Sequence, residues 1–143
     1  MVTDAKRASD TAAAGEGDDS FDLYDLKVEV VPGERPFVCS HHVGDYFLVE
    51  GENLVFPAET SFSMYALAAL LPLLPAKQRP LQPNDWMLSD ALIACPDPNC
   101  GARFRISRIA RRTLSHAACT VVPVRSPKQG ESPDRPLGPE TTS

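Results

Sequence analysis

The sequence predicts an α+β domain: a small, mostly antiparallel sheet packed on one central apolar helix, with a short basic helix at its C-terminal end. Three observations predict it. Short runs near both ends of the middle region alternate apolar and charged residues, as strands do when one face meets a core and the other meets water. Between them lies one long apolar run, Phe62 to Ala76, with leucines at helical spacing. Segments poor in large apolar residues flank the whole, so a single core of about a hundred residues is expected at 21–120.

The first strand is Tyr24-Asp25-Leu26-Lys27-Val28-Glu29-Val30, which alternates with period two. Pro32-Gly33-Glu34-Arg35-Pro36 ends it, because prolines cannot donate to a ladder and Gly33 permits a tight turn. After a loop bearing Phe37, Cys39, His41 and His42, a hairpin is expected from Tyr46–Glu50 and Leu54–Phe56, turned by Gly51-Glu52-Asn53. Thr60 or Ser61 would cap the central helix, whose Leu67, Leu70, Leu71 and Leu74 fall on one stripe. Ala66 and Ala69 keep its other side small, and Pro72 limits the straight part to about three turns. A proline-rich connection leads to a buried strand at Ala91–Cys95 and an alternating one at Ala102–Ile106, joined by Pro96-Asp97-Pro98-Asn99-Cys100-Gly101. Ile106, Ile109, Ala110, Thr113, Leu114, Ala117 and Ala118 then match a helical stripe, so the basic helix is expected to start near Ser107.

The ends read differently. Residues 1–20 contain seven charged residues and no aromatic, Leu or Ile, and the segment from Ser126 to Ser143 has four prolines and Leu137 as its one large apolar residue. Neither can bury enough area to offset the entropy of ordering, so a disordered tail is expected at 1–20 and an extended or disordered Pro-rich tail at 121–143. Met1 to Arg7 lacks the apolar stretch of a secretory signal, which leads us to expect a cytoplasmic location. The Phe62–Ala76 run is shorter than the roughly 18 to 20 residues a bilayer requires and contains Pro72 and Pro75, so no membrane span is expected.

Charge is uneven along the chain. Residues 1–60 hold thirteen acids against four bases, whereas residues 98–130 hold seven bases and no acid. Mutual neutralisation, an acidic protein partner or a phosphate-bearing small molecule would each satisfy such a distribution. The series Arg103, Arg105, Arg108, Arg111 and Arg112 lacks interleaved exposed aromatics, which argues against nucleic acid as the partner.

Several of these segments together resemble a family of small prokaryotic proteins with no established activity. The resemblance rests on Tyr24–Val30, on Val43-Gly44-Asp45-Tyr46-Phe47, on Ser63 to Pro72, and on Cys95-Pro96-Asp97-Pro98 followed by Phe104-Arg105-Ile106, and it covers most of residues 24–109. In the family pattern one Cys precedes the Gly-Asp element, a second opens the Ala/Leu-rich helix and a third ends the late strand. Cys39 and Cys95 match the first and third, while the helix position is Ser63 and a frequent His two residues on is Tyr65. The resemblance implies domain boundaries and no particular chemistry.

Cys39, His41, His42, Cys95 and Cys100 form the sharpest constellation, because thiolates and imidazoles from two loops suit tetrahedral zinc. The four residues between Cys95 and Cys100 depart from the paired CxxC of a zinc knuckle. The competing reading makes the cysteines small buried hydrophobes and the histidines ordinary loop residues. A Cys95–Cys100 disulfide would fit a hairpin end, but a cytosolic chain keeps its thiols reduced. Cys39 with His41 or His42 is the one close pairing suited to nucleophilic catalysis, and at i and i+2 in an extended loop Cys39 and His41 could touch. Ser63 at the head of the helix, with Tyr65 and Trp86 as apolar wall, is a candidate ligand site or else a plain cap. No phosphate-binding loop, dinucleotide fingerprint or zinc-protease helix is present. The sequence therefore points to a small binding or accessory protein of unknown ligand, with zinc as the candidate cofactor. The alternative is a small enzyme using the Cys39/His41 pair.

Overall fold

Twelve residues of strongly alternating character, Ser20–Val31, form the central strand β1 of a computed structural model that describes residues 18–89 and 92–124. Leu26, Val28 and Val30 point into the core, while Lys27, Glu29 and Val31 lie on the half-exposed opposite face. β2 (Tyr46–Glu50) pairs with β1 on one side, and β3 (Asn53–Val55) follows β2 through a hairpin whose Gly51 has φ 60°. That left-handed value is easy for glycine and costly for a side chain, so the sequence fixes the turn there. On the other side of β1 lies β5 (Arg103–Ser115), with β4 (Leu92–Ala94) beyond it. The result is a five-stranded, wholly antiparallel sheet of order β3-β2-β1-β5-β4.

The apolar run forms two short helices, α1 (Met64–Leu70) and α2 (Leu74–Gln78), in place of the single helix expected. Ser63 rather than Thr60 or Ser61 is the cap: its Oγ accepts from the Ala66 amide at 3.3 Å. Pro72 and Pro75 interrupt the helical bonding, and Pro75 sits in the first turn of α2, where a missing amide costs least. Ala66, Leu70 and Leu74 are buried against Phe47, Phe104 and the β1 valines. Leu71, on the expected stripe, is 44% exposed.

The C-terminal end also differs from the expectation. No basic helix begins near Ser107: β5 runs on to Ser115, and only the four residues His116–Cys119 (α3) are helical. A bulge explains the difference. Asp25 pairs with Ala110 and Leu26 with Arg108, so Ile109 is an extra residue in β5. One slip in a period-two pattern places apolar residues at 106, 109, 110 and 114, with Thr113 beside them, which imitates a helical stripe.

Because β4 meets only the first part of β5 and β2 only Leu26–Glu29 in the second half of β1, the first half of β1 and the last half of β5 project as a two-stranded ribbon. Its partners are polar. Asp22 accepts from Arg111 and Thr113, Asp25 accepts two bonds from Arg112, and Asp19 accepts from Ser115. Ser20, assigned to the N-terminal tail from composition, already belongs to this ladder opposite Ser115. Most of both expected tails, and Ala91 of the expected late strand, lie outside the described residues. No helix among the described residues is long and apolar enough to cross a membrane.

Candidate metal centre

Antiparallel pairing of β1 with β5 sets the end of one beside the start of the other, Val31 opposite Arg103. The loop leaving β1 and the turn arriving at β5 must therefore meet at one end of the sheet. They meet closely. The Gly101 amide donates to the Pro36 carbonyl at 3.0 Å. A Cβ on Gly101 would stand 1.7 Å from the Arg35 carbonyl oxygen, and one on Gly33 would stand 2.2 Å from the Gly101 oxygen. Glycine at these two positions is what permits the approach.

This seam brings Cys39 to Cys95 and Cys100. The three Sγ atoms all lie within 4.8 Å of one another, with Cys39 and Cys100 in hydrogen-bond contact at 3.3 Å. Cys95 directly follows β4, its amide bonded to the Ala102 carbonyl. Cys100 closes a turn in which Asp97 accepts from the Asn99 amide while the Asp97 carbonyl accepts from the Cys100 amide. Zinc at about 2.3 Å from each sulfur in tetrahedral geometry needs sulfurs about 3.8 Å apart, so small side-chain adjustments would seat an ion. All four cysteines are free thiols.

The electrostatics of the three differ. Burial raises the Cys39 and Cys95 thiols above their ordinary value, and their proximity to Cys100 adds to it. Burial acts on Cys100 in the same sense, but the amides of Ala102, Cys39 and Val38 together with the Cys39 thiol outweigh it and bring Cys100 down to about 6. The Val38 amide donates to its sulfur at 3.4 Å. Cys100 is thus held as a thiolate by backbone donors inside the protein.

The expected histidines do not join the cluster. His41 is buried between Phe62 and Phe104, with ring centroids at 4.4 and 5.5 Å, and its Nε2 accepts from the Ser63 amide at 3.2 Å. That bond leaves the proton on Nδ1, 3.8 Å from the Asp45 carboxylate. Burial pushes the imidazole pKa down, while Asp45 pulls against it. His41 thus links the loop to the head of α1 and, with Nε2 occupied, is unsuited to act as a base for Cys39. His42 is exposed and faces Asp45. Cys119 lies beside Glu52, apart from the other thiols.

Cys39 and Cys95 open onto a cleft of about 400 Å³ lined also by Val38, Ser63, Tyr65, Pro96 and Asp97. Ser63 and Tyr65 therefore stand together beside the thiols, with the Ser63 hydroxyl engaged in capping. Trp86 is not with them. It stands 70% exposed on a short 3-10 turn, Trp86–Leu88, over a separate hollow lined by Pro80, Leu81 and Asp85. Sequence reasoning missed Val38, whose amide and side chain both serve the site; only its place beside Cys39 could have drawn notice. Comparison with protein families, with curated proteins and with solved structures finds no match to this chain.

Proposed function

We propose that this is a small cytoplasmic accessory protein that holds a thiophilic divalent metal ion, zinc in the ordinary case, on Cys39, Cys95 and Cys100. The observation that carries the proposal is the convergence of three sulfurs within 4.8 Å from two loops sixty residues apart. Soft thiolate donors select such ions, and a thiolate held ready at Cys100 lowers the proton cost of binding. Three protein ligands leave a fourth position for solvent or a small ligand on the cleft side, the pattern of exchangeable rather than closed sites. The arginines favour no nucleic-acid role: Arg111 and Arg112 are engaged by carboxylates, and Arg108 donates to the Lys77 and Arg79 carbonyls at the end of α2.

Elemental analysis of protein purified without a histidine tag should find about one equivalent of metal. Cys95→Ser should lose it and melt earlier in its presence, whereas Cys119→Ser should keep it. Metal-free protein whose melting is unaltered by Cys39→Ser and by Cys95→Ser would overturn the site.

A further inference from the structure

We propose that Cys39 and Cys100 form a reversible dithiol–disulfide couple that exchanges with small uncharged disulfides, Cys39 as the attacking thiol and Cys100 as the resolving one. The roles follow from access. Cys39 lines the cleft, whereas Cys100 is 3% exposed and does not reach it. The Sγ atoms already stand 3.3 Å apart, and closing to the roughly 2.05 Å of a disulfide asks for movement in two loops rather than in the sheet. Val38, Tyr65 and Pro96 give the cleft apolar walls, and Asp97 at its rim disfavours anionic disulfides over neutral ones.

The exchange balances without a further reactant. Cys39 sulfur attacks one sulfur of the external disulfide, forming a mixed disulfide and releasing one small thiol that carries away the Cys39 proton. Cys100 sulfur then attacks Cys39 sulfur from behind as the thiolate, breaking the mixed disulfide and expelling the second small group as a thiolate, which takes its proton from water. Two protein thiols are oxidised and one external disulfide is reduced. This chemistry does not rest on the metal reading, since it runs in metal-free protein, where the sulfurs are available.

The test uses the full chain stripped of metal by a chelator, incubated with bis(2-hydroxyethyl) disulfide, alkylated, digested and mapped by mass spectrometry. The expected product is a Cys39–Cys100 cross-linked peptide, with Cys95 alkylated. In Cys100→Ser the reaction should stop at a mixed disulfide on Cys39. A principal Cys95–Cys100 cross-link, or Cys39 and Cys100 still reduced when Cys119 has reacted, would overturn the proposal. If Cys100→Ser does not fold, the wild-type linkage map decides alone. Because metal is removed beforehand, the outcome is independent of the elemental analysis.

Discussion

A thiol buried without compensation keeps its proton, as Cys39 and Cys95 do, while the amides around Cys100 reverse the balance. In metal-free protein, ultraviolet thiolate absorbance should therefore show one thiol titrating with a midpoint of about 6, and Cys100→Ser should abolish that step. Four thiols titrating together in the ordinary range would contradict it. The sign of the linked stability is fixed: a folded value depressed from 9.0 contributes stability that is full above 9.0 and lost as pH falls through about 6. Cysteine identity made the three clustered thiols legible in the sequence. The exclusion of His41 was not legible, because it depends on a ring buried between Phe62 and Phe104 and on an amide at Ser63, twenty-two residues away.

At the scale of elements, the strands near Tyr24–Val30 and Tyr46–Glu50 were legible because one face is buried and the other wet, which period two reports directly. The length of β5 was not, since the Ile109 bulge breaks that period. The helical run was legible as apolar and helical, but its division into α1 and α2 turned on two prolines. Leu70 has no exposed surface, so Leu70→Ala should cost about 2–5 kcal/mol by denaturant titration, and Leu71→Ala clearly less. Equal shifts of the two midpoints would mean that α1 does not present Leu70 to the sheet. Arg108 shows how a residue counted as surface charge can be structural: it stacks 4.4 Å over Tyr24 while donating to carbonyls at the end of α2.

For the whole molecule, the acid-rich first half and base-rich second half meet along the β1–β5 ribbon, where each strand supplies one sign. Among the alternatives that the charge distribution leaves open, neutralisation within the chain accounts for Arg111 and Arg112. Asp25 is the buried member, and its bonds from Arg112, joined by the Gly51 amide, hold its carboxyl below the ordinary 3.8 against the opposing effect of burial. A depressed carboxyl stabilises fully above the unfolded value and ceases to do so as pH falls through the folded one. Urea midpoints of metal-free protein should thus fall below about pH 4, and Asp25→Asn should flatten that acid limb while lowering stability at neutral pH. An acid limb identical in the two proteins would assign it to other carboxylates.

Cys39 and Cys100 are sixty-one residues apart, and β2, β3, α1, α2 and β4 all lie between them. Joined through a shared ion or a direct bond, they turn that stretch into a ring from which β1 and β5 leave as two arms at a common point. In the unfolded chain such a ring forfeits roughly 4 kcal/mol of conformational entropy in the chain-entropy account. It also changes the longest ladder of the sheet, which otherwise pairs the distant positions Val31 and Arg103 first across open chain. With its base already clasped, the β1–β5 ladder can close outward like a zipper from a fixed end, a search the open chain must make over its whole length.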